Sequence, residues 1–119
     1  MKKNNKILVV EDQLIIAKVY SSLLSKKGFE VMVSSNGSDA FEKAKAMQPG
    51  LILMDIHLND AMTGLDIARK LRADGCKSRI VFTTGNSLDS TKIEAADIEN
   101  SNVLIKPVEM SELEKFLIV

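Results

Sequence analysis

The residues of this chain best suited to chemistry are polar groups that directly follow short apolar runs. Glu11 and Asp12 end the first of these runs, Asp55 ends another, and Thr84 and Lys106 end two more. An aspartate in such a place is often a turn or helix-cap residue, so each position alone indicates little. Three carboxylates, a hydroxyl and an ammonium at the ends of four runs nevertheless predict one shared site, provided that the fold brings those ends together.

Three carboxylates within a few ångströms repel one another, and one of them keeps its proton unless a cation joins them. The chain has one histidine, His57, and one cysteine, Cys76, so a zinc site of the usual kind is not favoured. Oxygen ligands favour Mg²⁺, which retains several waters and takes one or two carboxylates together with a phosphate oxygen. Mg²⁺ is therefore the expected cofactor.

The groups opposite the acids favour phosphate as the reacting partner. Lys106 supplies a point positive charge and Thr84 a neutral hydrogen-bond donor. Together with a metal ion, they would meet the negative charge of a phosphoryl group during its transfer. Asp55 would then act as the nucleophile and form an acyl phosphate.

Strands and helices that could gather these groups alternate along the chain. The apolar runs predict five strands, at residues 6–10, 29–34, 51–54, 79–82 and 103–105. Helical spacing predicts five helices, at 14 to about 26, from a cap at Ser38 to about 47, at 64–73, at about 88–98 and from about 110. Strands joined by helices indicate right-handed crossovers and a parallel sheet. We therefore predict one doubly wound α/β domain, in which the carboxyl ends of the strands share one edge.

The apolar residues of two predicted helices follow the 3.6-residue period of a helix packed on a sheet. The first helix is expected to present one broad apolar face, made by Leu14, Ile15, Ala17, Val19, Leu23 and Leu24. The third is expected to turn inward Leu65, Ile67, Ala68 and Leu71.

Length and charge narrow the class of protein further. The 119 residues correspond to one ordinary domain. Sixteen basic and sixteen acidic residues cancel, so no broad basic field predicts nucleic acid or anionic membrane as a direct partner. One cysteine fits a reducing compartment, and no apolar run reaches membrane length. We expect a cytoplasmic protein with no membrane partner.

Four motifs in the expected order resemble those of the receiver domain of two-component response regulators. They are VVED at 9–12, LILMD at 51–55, VFTTG at 81–85 and VLIKP at 103–107. The resemblance implies that residues 4–119 form one receiver domain, with no output domain in this chain. It also implies a flavodoxin-like, three-layer (βα)5 fold with a five-stranded parallel sheet of order 2-1-3-4-5.

The resemblance assigns the reaction as well. It implies Mg²⁺-dependent transfer of a phosphoryl group to Asp55 from the phosphohistidine of a sensor histidine kinase or phosphotransfer protein. Glu11 and Asp12 match the metal-binding acidic pair, and the backbone carbonyl of His57 is expected to join the metal ligands. In this family a switch hydroxyl turns toward the phosphoryl group, and a lysine pairs with that group.

Thr84 matches the switch hydroxyl, with Thr83 as its rival, and Lys106 matches the lysine that pairs with the phosphoryl group. The resemblance implies a cis peptide at Lys106–Pro107. The imidazole of His57 would stand at the mouth of the site with Asn86 and tune water access to the acyl phosphate. An exposed loop histidine with no role is the alternative.

The sequence departs from the family pattern at three places. Asn59 stands where relatives usually have proline, and Gly64 follows Asp55 by nine residues instead of eight. Val103 stands where relatives often have Tyr or Phe, whose rotation reports activation. The switch would therefore depend on Thr84 and on backbone movement.

The combined prediction is a phosphorylation-dependent switch that catalyses only its own phosphotransfer and dephosphorylation. Phosphorylation would reshape the face made by the fourth helix, fifth strand and fifth helix, and so change binding to a downstream protein or output domain. The alternatives are a pseudo-receiver that binds partners without phosphorylation and a Mg²⁺-dependent aspartyl phosphohydrolase. The residues leave open a phosphorylation-dependent dimer, the cognate kinase, the target, and whether the chain continues past Val119.

Overall fold

The computed structural model describes residues 4–58, 61–85, 92 and 94–117, and its centre is a five-stranded sheet. The strands are β1 (Lys6–Val10), β2 (Glu30–Ser34), β3 (Leu51–Asp55), β4 (Arg79–Thr84) and β5 (Ser101–Ile105). All neighbouring strands pair in parallel, in the order β2-β1-β3-β4-β5. The predicted doubly wound, flavodoxin-like α/β fold is therefore confirmed.

Among the described residues, three helices connect the strands, and a short one follows the sheet. They are α1 (Leu14–Lys26), α2 (Gly37–Met47), α3 (Gly64–Ala73) and a C-terminal helix (Met110–Leu113) that continues as a 3₁₀ turn (Glu114–Phe116). Residues 88–91 and 93 of the helix predicted at about 88–98 lie outside the described residues, and the end predicted for it, residues 95–98, is not helical. Residues 95–100 form turns that lead into β5.

Two strands extend further at their carboxyl ends than the apolar runs predicted, and β5 begins two residues earlier than predicted, at Ser101. β3 includes Asp55 and β4 includes both threonines, Thr83 and Thr84. Asp55 pairs with Thr83, and Thr84 pairs with Ile105, so the parallel ladder continues past the last apolar residue of each strand. Backbone pairing here overrides the poor strand preference of aspartate.

The predicted cap of α2 is wrong by two residues. Asn36, not Ser38, is the N-cap, and its side chain accepts a hydrogen bond from the backbone N–H of Asp39 at 2.9 Å. Asn36 has the extended backbone of a cap, with φ −151° and ψ 168°, and asparagine is among the best capping residues. Ser38 lies in the first helical turn instead.

The single apolar face predicted for α1 is also wrong, because the structure divides it into two stripes. The stripe that packs against the sheet consists of Ala17, Tyr20 and Leu24. The second consists of exposed residues, Leu14 at 65%, Ile15 at 80%, Val19 at 50% and Leu23 at 39% of their full accessible area. A spacing of four residues keeps 15, 19 and 23 on one side of the helix, away from the sheet.

The core lies in two layers, one on each side of the sheet. α2 and α3 cover one side, where Ile52, Met54 and Phe82 are fully buried. α1 and the C-terminal helix cover the other, where Val9, Leu53 and Leu113 are fully buried. Both faces of β3 are covered, which explains the unbroken apolar run that leads to Asp55. Within the described part of the chain, no helix is long and apolar enough to cross a membrane.

Candidate functional site

The ends of β1 and β3 bring three carboxylates together. One carboxylate oxygen from each of Glu11, Asp12 and Asp55 lies within 4.8 Å of the other two. Glu11 and Asp55 are buried and Asp12 is half-buried. The backbone N–H of Glu11 donates to the carbonyl of Ser34 at 2.9 Å, which ties the acidic pair to the end of β2. The acids predicted at one sheet edge therefore lie side by side.

Lys106 joins two of these acids. Its ammonium Nζ lies 3.1 Å from Asp55 Oδ2 and 3.1 Å from Glu11 Oε1, and the side chain is 22% exposed. Its backbone N–H donates to the carbonyl of Thr84 at 2.7 Å, which fixes the chain directly after β5. The predicted cis peptide at Lys106–Pro107 is confirmed.

Burial controls the protonation of Glu11. It raises the pKa of that carboxyl to about 7, and the hydrogen bond and negative charge of Asp55 act in the same direction, whereas Lys106 opposes them. Burial alone lowers the pKa of Lys106, but its hydrogen bonds and attraction to Asp55 and Glu11 raise that pKa above its ordinary value. The ammonium therefore stays charged, and Glu11 takes up a proton more readily than an ordinary glutamate.

The residues present fit a hard divalent cation. Glu11 Oε2 is buried and has no hydrogen-bond partner among the described residues. A buried oxygen of this kind is costly unless a proton or a cation satisfies it. The three carboxylates supply the oxygen ligands that Mg²⁺ prefers, so they could hold such an ion.

The backbone after Asp55 is held by a chain of hydrogen bonds. His57 N–H donates to Asp55 Oδ1 at 3.0 Å, and Ile56 N–H donates to Thr83 O at 3.1 Å. Gly64 N–H donates to Ile56 O at 2.9 Å, which brings the start of α3 against the acceptor. The His57 side chain is exposed, and the roles predicted for its carbonyl and imidazole stay predictions.

Gly64 allows this close approach despite the longer loop before it. A Cβ at this position would lie 2.3 Å from the carbonyl oxygen of Asp55 and 2.9 Å from the Cα of Ile56. Thr63 and Asp66 form a capping box at the same helix start. The prediction overlooked that box, although the T-x-x-D spacing is a sequence signal for it.

The two threonines at the end of β4 are both buried. Thr83 lies opposite Asp55 in the sheet, and Thr84 lies opposite Ile105, the residue before Lys106. The choice of Thr84 as the switch hydroxyl stays a prediction. Val103 is half-buried and packs against the core on the α2 and α3 side. Asn59 and Asn86 lie outside the described residues.

Tyr20 is a neighbour of the site that the sequence did not identify. It lies on the buried stripe of α1, and burial raises the pKa of its hydroxyl. The charge of Lys106 opposes this shift, whereas those of Glu11 and Asp55 reinforce it, so the hydroxyl lies within the electrostatic field of the site. Its spacing of three residues from Ala17 was the available sequence signal.

A family model and the sequences of known proteins both relate this chain to response regulators. A model described as the response regulator receiver domain matches residues 7–118. The chain is similar to the regulatory protein LuxO of Vibrio vulnificus, with 34% identity over 105 residues, which cover 88% of this chain and 23% of LuxO. It is also similar to the transcriptional regulatory protein DltR of Streptococcus agalactiae, with 32% identity over 108 residues, which cover 91% of this chain and 48% of DltR. The chain thus spans about a quarter of the first relative and about half of the second.

Solved structures share the fold. The chemotaxis protein CheY4 of Vibrio cholerae matches with a TM-score of 0.87 and 26% identity, over 97% of each chain. The BeF3-activated N-terminal receiver domain of RstA from Klebsiella pneumoniae matches with a TM-score of 0.83 and 27% identity, over 95% of this chain and 98% of that one. The chain belongs to the family of response regulator receiver domains, which are signalling switches of two-component systems.

Proposed function

We propose that Asp55 accepts a phosphoryl group from the phosphohistidine of a sensor histidine kinase or phosphotransfer protein. The observation that carries the proposal is the position of Lys106 Nζ, 3.1 Å from Asp55 Oδ2 and beside the acidic pair. A carboxylate oxygen of Asp55 attacks phosphorus as the bond from phosphorus to the imidazole nitrogen breaks. The imidazole keeps that electron pair, and Asp55 becomes an acyl phosphate.

Hydrogen bonds preorganise the acceptor for this attack. His57 N–H holds one carboxylate oxygen of Asp55 and Lys106 holds the other, which restricts rotation of the side chain. Glu11, Asp12 and Asp55 would hold Mg²⁺, together with the carbonyl of His57. The bound ion would offset the negative charge of the incoming phosphoryl oxygens.

Phosphorylation would redistribute the contacts of Lys106. A phosphoryl group on Asp55 offers stronger acceptors than the carboxylate of Glu11, so Lys106 would turn toward it. Because Lys106 directly follows β5, this movement would displace the end of β5 and the chain that leads to the C-terminal helix. With the Thr84 hydroxyl drawn toward the phosphoryl group, the change would reach the partner-binding face predicted from the sequence.

The exposed stripe of α1 is well placed to receive the donor. It begins at Leu14, two residues after Asp12, and continues through Ile15 and Val19. A donor imidazole must come within bonding distance of Asp55, so its protein has to contact the rim of the site. An apolar helix face beside that rim offers the area for such a contact.

The proposed phosphorylation gives the whole domain a role in signalling. We expect residues 4–119 to act as one receiver domain that catalyses only its own phosphorylation and dephosphorylation. A downstream protein or output domain would read its state, since the relatives are regulatory proteins longer than the matched region.

Incubation of the chain with acetyl phosphate and MgCl₂, followed by intact-mass measurement, tests the proposal. We expect a gain of one phosphoryl group that requires Mg²⁺ and is lost in Asp55→Asn. Uptake that persists in Asp55→Asn but disappears without Asp12 or Glu11 would overturn the assignment of the acceptor. Failure to bind millimolar Mg²⁺ would favour a pseudo-receiver, and sustained hydrolysis of small phosphate esters would favour a phosphohydrolase.

A further inference from the structure

Two arginines of α3 hold the end of the chain that crosses from β4 to β5. Arg69 donates from Nε and Nη2 to the carboxylate of Asp97, at 3.1 and 3.2 Å. Its Nη2 also donates to the carbonyl of Glu94 at 2.9 Å. The ion pair is exposed and contributes little alone, so the added bond to the backbone is what fixes this turn.

Arg72 makes a more extensive contact. Its Nη2 and Nε donate to Glu99 O at 2.7 and 3.2 Å, and Nη2 also approaches Asn100 O at 3.4 Å. Its Nη1 donates to Cys76 O at 3.0 Å, in the loop after α3. A planar guanidinium can bridge carbonyls of two segments in this way, whereas a lysine ammonium offers no such fork.

Apolar contacts reinforce the same junction. Ala95 and Ile98 are buried in the core cluster that contains Ile67, Ala68 and Leu71 of α3. Residues 94–100 are thus attached to α3 by buried side chains and by two guanidinium groups. β5 begins directly after them, at Ser101.

The opposite end of α3 lies against the phosphoacceptor. Gly64, the first residue of the helix, donates to Ile56 O, and its Cα packs so close to Asp55 O that no side chain fits between them. The ten-residue helix is about 15 Å long. One rigid element therefore contacts Asp55 at one end and carries the arginines toward the other.

We propose that Arg69 and Arg72 are positioning residues that pass the state of Asp55 through α3 to residues 94–100. The inference rests on the proposed phosphorylation and names a route for its effect. A displacement of the first turn of α3 would move both guanidinium groups with it, because a short helix shifts as a unit. This route does not involve position 103, where Val103 occupies the place of an aromatic residue.

Amide spectra of the ¹⁵N-labelled chain, recorded with MgCl₂ before and after addition of beryllofluoride as a phosphoryl mimic, test the inference. In the unmodified chain we expect shifts at Thr84 and Lys106 and also within residues 94–100. In the double variant Arg69→Met and Arg72→Met, the first two shifts should persist and those within 94–100 should fall several-fold. Methionine keeps the apolar stem of each arginine and removes its donors.

Two further variants serve as a control and as an intermediate case. Lys70→Met, between the two arginines, removes a cation that faces the ring of Phe41, and it should leave every shift unchanged. Asp97→Asn removes the negative charge of one exposed partner of Arg69 and keeps an oxygen that can accept, so it should give an intermediate loss. Amide exchange within 94–100 should rise about ten-fold or more in Arg72→Met, because this variant loses the hydrogen bonds from the guanidinium to Glu99 O and Cys76 O.

The outcomes separate this inference from the proposed function. Equal responses at 94–100 in the double variant and the unmodified chain would overturn the inference alone. The inference alone would also be overturned if, in the unmodified chain, the amides of Thr84 and Lys106 shift and those of residues 94–100 do not. Absence of any response to beryllofluoride in the unmodified chain would instead contradict the proposed function, and the inference would fail with it.

Discussion

Lys106 Nζ lies 3.1 Å from Asp55 Oδ2 and 3.1 Å from Glu11 Oε1, so one ammonium group is shared between two buried carboxylates. The ammonium offsets their mutual repulsion, and yet the pKa of Glu11 is raised to about 7. In the absence of a metal ion, the ammonium of Lys106 therefore offsets the charge of Asp55 and Glu11. The carboxyl of Glu11 is close to taking up a proton at neutral pH. Both properties have measurable consequences.

Lys106→Met should destabilise the domain in a pH-dependent manner. At pH 8 it leaves Asp55 and Glu11 buried without their counter-ion, at a cost of about 1–3 kcal/mol in the free energy of unfolding, reduced by the partial exposure of Lys106. At pH 5 protonation of Glu11 should relieve most of that cost. Urea unfolding without Mg²⁺ at both pH values measures the difference. Lys77→Met, at an exposed lysine before β4, is the control, and an equal loss in both variants would contradict the prediction.

Glu11 should make the metal-free domain less stable as pH rises. The pKa of Glu11 is about 7 in the folded protein, whereas the ordinary value for a glutamate in the unfolded chain is 4.5, so between these values the folded state binds more protons. The stabilisation is fully present below about pH 4.5 and is lost as pH rises through about 7. The size is on the order of 3 kcal/mol, because one pKa unit corresponds to about 1.4 kcal/mol.

Thermal unfolding of the unmodified chain and of Glu11→Gln, from pH 4.5 to 8 in EDTA, isolates this contribution. The difference between the two curves should change with pH in that window, and Mg²⁺ should reduce the change. Asp39 and Asp97 have lowered pKa values and act in the opposite direction, but they are present in both proteins. A difference that does not vary with pH would refute the role given to Glu11.

The positions of Asp55 and Lys106 could be predicted from the sequence because parallel strands place their carboxyl ends at one edge. The lack of a partner for Glu11 Oε2 among the described residues could not be predicted, because it depends on which oxygens of Glu11 and Asp55 the Lys106 ammonium contacts. The contacts of Arg69 and Arg72 were equally inaccessible, since they join residues 25 to 28 positions apart through long side chains. Helical periodicity is local and does not encode such pairs.

The apolar pattern of α1 illustrates a different limit. The 3.6-residue period correctly gave a helix, but it does not state which neighbours cover each side. The sheet covers the stripe that contains Tyr20, while Ile15 and Val19 stay exposed. An apolar residue indicates either a core contact or a docking surface, and the pattern alone does not distinguish them.

The exposed stripe of α1 should be needed for transfer from a protein donor and not for transfer from a small one. Ile15→Ser with Val19→Ser should slow phosphorylation by a phosphorylated histidine donor that serves the unmodified chain by about ten-fold or more. Phosphorylation by acetyl phosphate should be unchanged, because the acidic site is intact. Met32→Ser, at an exposed apolar residue of β2, is the control. Equal slowing with both donors would show that the substitutions damage the site itself.

Gly64→Ala should destabilise the domain and impair phosphorylation together. The new Cβ would lie 2.3 Å from Asp55 O, so the start of α3 or the acceptor backbone must move, at a cost of about 1–3 kcal/mol. Gly85→Ala places a Cβ in open space and should leave the unfolding free energy nearly unchanged. Chemical unfolding and acetyl phosphate uptake provide the two measurements. Normal stability of Gly64→Ala would mean that the close approach to Asp55 is not rigid.

The two threonines of β4 should differ in response to phosphorylation, although both are buried. Either substitution by alanine removes one buried hydroxyl and should lower the unfolding free energy by about 1 kcal/mol. Thr84 pairs with Ile105, directly before Lys106, so Thr84→Ala should still gain the phosphoryl group but lose most of the amide shift at Ile105 and Lys106. Thr83→Ala should retain that shift, because Ile56 N–H bonds to the backbone carbonyl of Thr83, which alanine preserves. Beryllofluoride titration of both ¹⁵N-labelled variants decides between them, and loss of the shift in Thr83→Ala alone would move the switch hydroxyl to Thr83.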